Sequence, residues 1–286
     1  MDFDFQKQRD YNARMATLAA ARHLVEKGYK VVSVNLYGSQ NYDCDTPESD
    51  YDFKAIIVPA LDDIVLNKKP VSHDIEFNGG LIDIKDIHLM FDNYKKQNVN
   101  FIETLFTRWF WVAPDFTREW NRIRDIADFV AFADPVKSVN CMIGMAKEKE
   151  HALSQPYPSK IKILEKYGFD PKQLMHIVRL RILMESFLVE LSTDSMDYGK
   201  ILIPEKEVIE MLMDIKLMKT PITPEQAKAI AEKEIGIMED VREAFKAQVE
   251  DKWGKINQAA YDALEGIKAK IMKKAFVADL KKDFLF

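Results

Sequence analysis

The sequence predicts an α+β protein, with a small mixed-sheet domain over residues 1–115 followed by an all-helical domain over residues 116–286. Short apolar and β-branched runs, the pattern of buried strands, occur before residue 90. Beyond residue 98, leucine, methionine, lysine and glutamate dominate, and this composition predicts helices punctuated by prolines. The composition changes between residues 110 and 135, which places the predicted boundary there.

A helix is predicted first, over residues 5–27, because Gly28 stands where a helix should stop. Residues 31–39, with the sequence VVSVNLYGS, then predict a buried strand that ends in a Gly-Ser turn. A polar, turn-rich segment follows. Residues 50–59, with the sequence DYDFKAIIVP, predict a second strand that ends at its proline.

Residues 73–87 predict a hairpin around Asn78-Gly79-Gly80, because paired glycine and asparagine residues favour a tight turn. Asp86 is the expected N-cap of the next helix. The aromatic run TRWFWVAPDF, residues 107–116, admits two interpretations. It packs in the core or at a seam between domains, which is the more common use, or it stacks on nucleobases.

Composition narrows the classes of function. The 286 residues carry 41 basic and 46 acidic side chains, a formal charge of −5, so no extended DNA-binding surface is expected. Cys44 and Cys141 form no CxxC pair, which argues against a disulfide framework and predicts a cytoplasmic protein. No segment has the apolar length that a membrane span requires, so no membrane partner is expected.

Three aspartates carry the chemistry. In a strand, alternate residues share a face, so Asp50 and Asp52 are expected to project side by side. Asp83 lies between two isoleucines on a later strand and is expected on the same face. Clustered carboxylates repel one another unless a cation lies between them, and Mg²⁺ prefers carboxylate and phosphate oxygens. Gly38 and Ser39 suit phosphate, because glycine admits close backbone approach and serine adds a donor.

The string LYGSQNYDCDTPESDYDFKAIIV, residues 36–58, resembles the signature of the DNA polymerase beta-type nucleotidyltransferases. It is most similar to a bacterial and phage branch of predicted nucleotidyltransferases. The resemblance implies an NTP substrate, two Mg²⁺ ions for which Mn²⁺ can substitute, and transfer of NMP, most simply AMP, to an acceptor hydroxyl with release of pyrophosphate. It places Gly38 and Ser39 on the triphosphate, and Asp50, Asp52 and Asp83 on the metal. Asp86 competes with Asp83 as the third acid.

The resemblance continues into the helical part. NVNFIETLF (98–106) is similar to the family's segment after the third acid, with Val99 in place of the usual proline. GMAKEKEHAL (144–153) and DPKQLMHIVRLRIL (170–183) resemble its lysine and H-x-x-R-L helices, which adds Lys147, Lys172, His176 and Arg179 as candidate phosphate-binding residues.

Lys172, His176 and Arg179 have the spacing of one helix face. That face either covers the triphosphate or is simply solvated. Residues 147–181 carry eight positive and four negative side chains, which mildly favours the first interpretation.

Several questions stay open at this stage. Lys54 either contacts phosphate or neutralises the aspartates, and Asn41 and Tyr42 either touch the ligand or belong to an ordinary polar loop. The acceptor is a small molecule, an RNA 3′ end, a free nucleotide or a protein hydroxyl. A chain with this fold can also be a non-catalytic nucleotide- or RNA-binding module of the toxin–antitoxin or phage-defence type.

Overall fold

The computed structural model describes residues 3–193, 195–249 and 257–284, so residues 194, 250–256, 285 and 286 of the predicted helical domain lie outside it. The described strands are β1 (Val31–Tyr37), β2 (Asp52–Ile57), β3 (Ser72–Phe77), β4 (Gly80–Asp86) and β5 (Phe110–Val112). The described helices are α1 (Phe3–Glu26), α2 (Leu61–Val65), α3 (Ile87–Lys95), α4 (Val99–Ile102), α5 (Thr117–Asp125), α6 (Ala127–Ala131), α7 (Pro135–Ala152), α8 (Ile161–Tyr167), α9 (Pro171–Ser192), α10 (Tyr198–Leu202), α11 (Lys206–Leu217), α12 (Pro224–Val249) and α13 (Gln258–Phe284). A mixed-sheet N-terminal half followed by a helical half confirms the predicted fold class.

The strands form one sheet in the order β3-β4-β2-β1-β5. Only the β2–β4 pair is parallel among the described strands, and the others are antiparallel. The predicted hairpin is confirmed, with Asn78 and Gly79 both at positive φ (48° and 86°), as a tight two-residue turn requires. Asp86 caps α3 as expected, its Oδ1 accepting a hydrogen bond of 2.8 Å from the His88 N–H.

One strand departs from the prediction of helix beyond residue 98. Phe110–Val112 pairs with β1 at the edge of the sheet, since aromatic and β-branched residues fit a pleated, half-buried surface. The neighbouring Trp109 is 5% exposed and packs in the cluster beneath α1. Core packing, the more common use of such an aromatic run, is therefore the one found for Trp109.

The two faces of the sheet differ in character. One face is largely apolar and packs against α1, where Ala20 and Leu24 meet the side chains of Leu36, Phe53 and Ile84. The other face is apolar only near the C-terminal ends of the parallel strands, where it joins the helical core. The rest of that second face is polar, and its Tyr37 and Asp52 border the candidate site.

In the helical half, α9 lies at the centre and packs against α7, α11 and α12. Its buried side chains, such as Leu174 and Phe187, belong to the same apolar cluster as Ile56 and Val58 of the sheet region. This continuous core holds α9 over the polar face of the sheet. The predicted division at residue 115 stays a prediction. Within the described part of the chain, every helix is too short or too polar to traverse a lipid bilayer.

Candidate active site

A cavity of about 430 Å³ lies between the ends of β1 and β2 and the helices α7, α9 and α11. Eight residues predicted from the sequence line it: Gly38, Ser39, Tyr42, Asp50, Asp52, Lys172, His176 and Arg179. Four do not: Asn41, Lys54, Asp83 and Lys147. The cavity has two walls of opposite charge, one from the sheet and one from the helices.

The acidic wall comes from the sheet and contains Asp50 and Asp52. Asp52 opens β2, whereas Asp50 lies just before it. Asp52 Oδ1 accepts a hydrogen bond of 3.0 Å from the Leu81 N–H, and Gln40 Nε2 donates one of 2.7 Å to the Asp50 carbonyl. These bonds fix where both carboxylates stand. No lysine or arginine in the described part of the chain forms an ion pair with either of them.

Glycines shape the backbone around this wall. Gly38 has φ 92° and ψ −153°, a conformation open mainly to glycine, and it turns the chain from β1 into the single 3₁₀ turn Ser39–Tyr42. At Gly80 an added Cβ would lie 2.2 Å from the Tyr51 carbonyl oxygen. Only glycine at position 80 therefore lets the hairpin lie this close to the backbone of Tyr51, the residue between the two aspartates.

Asp83 stands on the same face of the sheet but is held by lysines. The parallel register places it beside Lys54, and Lys54 Nζ lies 2.7 Å from Asp83 Oδ2. Lys85 Nζ lies 2.7 Å from Asp83 Oδ1. Burial raises the pKa of the Asp83 carboxyl, but the two ammonium groups outweigh it and the net pKa is lowered. Asp86, the competing third acid, is 1% exposed and committed to capping α3.

Lys54 is a buried cation, and its position bears on whether it contacts phosphate or neutralises the aspartates. It is 5% exposed and its Nζ lies 4.2 Å from the ring centre of Tyr37 and 4.1 Å from that of Phe101. Burial lowers the pKa of its ammonium, and Asp83 opposes that shift. Lys54 thus neutralises an aspartate and does not reach the cavity.

The second wall is cationic and comes from three helices. Lys149 of α7, Lys172 and Arg179 of α9, and Lys216 of α11 all line the cavity. Burial lowers the pKa of Lys216, and the nearby charge of Lys172 lowers it further. Because these like charges repel one another, binding of a polyanion between them is favourable.

His176 lies among these cations. Burial pushes the pKa of its imidazole well below its ordinary value of 6.5, and Arg179, Lys172, Lys149 and Lys216 push it the same way. The ring is consequently neutral at physiological pH, and it meets Tyr42 edge-on with ring centres 6.3 Å apart.

Arg179 is locked in place. It is 4% exposed, its Nη2 donates a 2.9 Å hydrogen bond to Glu103 Oε1, and its guanidinium lies 3.9 Å from the ring centre of Tyr42. A solvated helix face is therefore the wrong interpretation for this arginine. Tyr42 is 2% exposed and is held between the turn and α9, so it is a wall of the cavity and not part of an ordinary loop.

Two predicted ligand residues lie elsewhere. Asn41 is 3% exposed; its Nδ2 donates to the Leu36 carbonyl and its Oδ1 accepts from the Thr107 hydroxyl, so it fastens the turn to the sheet. Lys147 points away from the cavity and its Nζ lies 2.6 Å from Glu239 Oε1. The buried side of α7 carries Met142, Ile143 and Ala146, and continuing that helical phase leads to Lys149.

Lys149, Lys216 and Glu103 were missed from the sequence. The phase of α7 was a usable signal for Lys149. Glu103 occupies the glutamate position of the resembled segment NVNFIETLF. Lys216 gave no local signal, because it reaches the site only through the packing of α11 on α9. Its Nζ also donates a hydrogen bond of 2.6 Å to the Cys44 carbonyl, which ties α11 to the loop beside the acidic wall.

Asp50 and Asp52 offer the carboxylate oxygens that Mg²⁺ prefers. Both carboxylates line the cavity, and no lysine or arginine of the described residues forms an ion pair with them; Mg²⁺ is typically held by one or two carboxylates together with substrate phosphates and water. Among the residues that the structure describes, no three histidine, cysteine, aspartate or glutamate side chains are gathered as a ready metal site. Asp83, the third acid predicted from the sequence, forms ion pairs with Lys54 and Lys85.

Comparison with known proteins adds little to this geometry. No family model matches the chain, and no curated protein matches it. Among solved structures, it is similar to a nucleotidyltransferase-like protein from Exiguobacterium sibiricum 255-15, at 10% identity and a TM-score of 0.29. That alignment covers 81% of this chain and 75% of the other. A likeness at this level does not establish a function for this chain.

Proposed function

We propose that this chain is a Mg²⁺-dependent nucleotidyltransferase that moves a nucleoside monophosphate, AMP in the simplest case, from an NTP to an acceptor hydroxyl. The observation that carries the proposal is one cavity with two opposing walls. One wall carries Asp50 and Asp52, with which no lysine or arginine of the described residues forms an ion pair, and the other carries four cationic residues. Two opposite charges of this kind suit a metal-bound triphosphate, which offers both a cation and a chain of negative oxygens.

In this proposal Asp50 and Asp52 hold Mg²⁺, for which Mn²⁺ can substitute, and Gly38 and Ser39 contact the triphosphate beside them. The ion would neutralise phosphate charge and lower the pKa of a hydroxyl bound to it. The second ion implied by the family resemblance would need Asp83, both of whose oxygens face lysines.

The cationic wall would receive the β- and γ-phosphates. Lys149, Lys172 and Lys216 supply positive charge where pyrophosphate negative charge grows as the bond to the α-phosphorus breaks. Arg179, fixed by Glu103, needs no reorganisation at that moment. The acceptor oxygen attacks the α-phosphorus, the bond to pyrophosphate breaks, and the hydroxyl proton passes to solvent. Most of the catalytic work is positioning and charge neutralisation.

The acceptor class is part of the proposal to be tested. Small hydroxyl compounds, RNA 3′ ends, free nucleotides and protein hydroxyls all present the required oxygen. The protein is acidic overall, which favours an acceptor gripped locally over one held along an extended basic surface.

The test uses each of the four NTPs labelled either at the α- or at the γ-phosphate, with Mg²⁺ and separate pools of small metabolites, RNA and proteins. We expect α-label to appear in one pool and γ-label to leave as pyrophosphate. Release of γ-label as inorganic phosphate would contradict the proposal. Tight binding of NTP without pyrophosphate release from any pool would favour the non-catalytic nucleotide- or RNA-binding module instead.

A further inference from the structure

Asp83 is neutralised on both sides by side chains of its own sheet. Lys54 lies 2.7 Å from one carboxylate oxygen and Lys85 lies 2.7 Å from the other. Both lysines are mostly covered, with 6% and 18% of their side chains exposed. The carboxylate itself does not line the cavity in which Asp50 and Asp52 stand. Oδ2 accepts a hydrogen bond from Lys54, whereas the buried Oδ1 accepts none and is balanced only by the nearby Lys85 charge.

Lys54 is also fixed from the other directions. Its ammonium lies between the rings of Tyr37 and Phe101, at 4.2 and 4.1 Å from their centres, an arrangement that attracts cations. If Asp83 turned towards a metal ion, it would leave this buried ammonium without its counter-ion. Breaking a buried ion pair on one side is among the most costly changes in a protein interior.

The sheet register brings the Lys54 charge close to the metal-binding strand end. Lys54 follows Asp52 by two residues on β2, so the two side chains share a face. The same face carries Asp83, and Asp74 lies directly across β4–β3 from Asp83. Tyr37 stands among Asp52, Asp74 and Asp83, whose charges add to burial in raising the pKa of its phenol. A fixed cation at Lys54 lessens the mutual repulsion of these carboxylates.

We propose that Asp83 is the anchor of Lys54 rather than a metal ligand, and that the site holds a single divalent ion through Asp50 and Asp52, with the Lys54 ammonium as the fixed charge beside it. This inference rests on the proposed function, because it concerns the number of metal ions that the proposed site binds. Lys54 is in this view a positioning residue, because it acts through Asp83 and does not contact the nucleotide.

The direct test counts Mn²⁺ by electron paramagnetic resonance in the full chain with α,β-methylene-ATP, which transfer cannot consume. We expect one Mn²⁺ per chain in the wild type, and the same count in Asp83→Asn. Asp52→Asn should weaken Mn²⁺ binding by about tenfold or more, as loss of a ligand does. Asp74→Asn is the matched control, since it removes an acid from the same face that forms no ion pair in the described part of the chain.

A second measurement guards against a variant that fails to fold. Urea unfolding in EDTA of Lys54→Met, Asp83→Asn and the double variant gives the coupling between the two residues without any metal. We expect each single variant to lower the unfolding midpoint, and the double variant to lower it by less than the sum, since it leaves no unpaired buried charge. The double variant, which carries neither charge, should also bind one Mn²⁺.

Two Mn²⁺ per wild-type chain, with one lost from Asp83→Asn and from the double variant, would overturn the inference while leaving the nucleotidyltransferase proposal intact. Additive effects of Lys54→Met and Asp83→Asn on unfolding would overturn it as well. Mn²⁺ binding that Asp50→Asn and Asp52→Asn both leave unchanged would instead refute the proposed function, because the ion would then lie elsewhere.

Discussion

The two walls of the cavity are built in different ways. The acidic wall, with Gly38, Ser39, Asp50 and Asp52, comes from one short stretch of chain, and hydrogen bonds to its backbone and to Asp52 set its position. The cationic wall collects side chains from α7, α9 and α11, which reach the cavity only because the helices pack together. One wall is a product of local backbone geometry and the other of tertiary packing.

The walls also differ in how their charges are balanced. Asp50 and Asp52 have no cationic partner among the described residues, whereas Arg179 is paired with the buried Glu103. A charged side chain without a partner is available to bind a ligand. Removing one member of a buried ion pair strongly destabilises the fold, because the other charge is left buried and unpaired. Substitutions in the acidic wall should therefore change chemistry, and substitutions in the cationic wall should change stability or affinity according to the partner of each residue.

The largest effect is expected for Asp52→Asn. The amide oxygen can still accept the Leu81 N–H, so the fold should survive while the charge on the metal side is lost. We expect transfer of α-label to fall by about 10³-fold or more, the order found when one key charge is removed in phosphoryl transfer. Thermal unfolding should change little.

Glu48→Gln is the matched control, because it neutralises another carboxylate of the same cavity that lies outside the β2 strand end. Its rate should stay within a few-fold of the wild type. Wild-type transfer by Asp52→Asn would show that the acidic wall does not hold the metal.

Arg179→Met should have the next largest effect, a decrease in the free energy of unfolding. The substitution strands the Glu103 carboxylate, which is 1% exposed, without its partner. We expect the free energy of unfolding, measured in urea, to decrease by about 3–5 kcal/mol, as is usual when a buried charge is left unpaired. Adding Glu103→Gln should recover part of that loss. A double variant as unstable as the sum of the two singles would mean that the pair does not act as a unit.

Lys172→Met should lower affinity and leave the fold alone. Its ammonium lines the cavity and forms no ion pair within the described part of the chain. We expect calorimetry with Mg²⁺ and α,β-methylene-ATP to show binding weakened by about tenfold, the scale of one hydrogen bond to a charged group.

Lys147→Met is the control for Lys172→Met, because that lysine lies on α7 outside the cavity and pairs with Glu239. It should leave nucleotide binding unchanged and cost at most about 1 kcal/mol of stability, as exposed ion pairs do. Equal losses of affinity in the two variants would indicate a general effect of charge and not a wall.

The contrast between the walls also explains how far the sequence could be interpreted. The Gly38-Ser39 turn, the Asn78-Gly79-Gly80 hairpin and the Asp86 cap are local features, and the fold and the position of Asp52 follow from such features. The predicted second strand began too early, since β2 starts at Asp52, so strand alternation does not explain why Asp50 also lines the cavity. The ion pair between Lys54 and Asp83 could not be predicted from local features, because the two residues are far apart in sequence and become neighbours only through the parallel register of β2 and β4.

The helical half shows the same limit. Helix spacing correctly placed Lys172, His176 and Arg179 on one face, yet it could not show that Arg179 would be buried against Glu103. Choosing Lys147 over Lys149 ignored the phase of the buried residues on α7, and Lys216 depends on the approach of a separate helix. The short edge strand β5 was missed because its three residues lie within a long region of helical composition.

The smallest predicted effect concerns pH and the neutral imidazole of His176. Its pKa in the folded protein lies well below the ordinary 6.5, first through burial and then through Arg179, Lys172, Lys149 and Lys216. Between the lowered pKa and 6.5 the unfolded chain binds a proton that the folded chain does not, so folding stability is complete above pH 6.5 and declines as pH falls below it. We expect His176→Gln to remove up to about 1.4 kcal/mol of that decline per pH unit.

Urea unfolding of the wild type and His176→Gln between pH 7.5 and roughly pH 5 would measure this difference, and subtracting the two curves cancels the carboxylates that titrate in both. Tripolyphosphate should reduce the difference, because an anion among the four cations offsets the part of the lowered pKa that they cause, while the part due to burial stays. If the two proteins lost stability in parallel, with or without tripolyphosphate, the helical wall would not be the concentrated positive field on which nucleotide binding is proposed to depend.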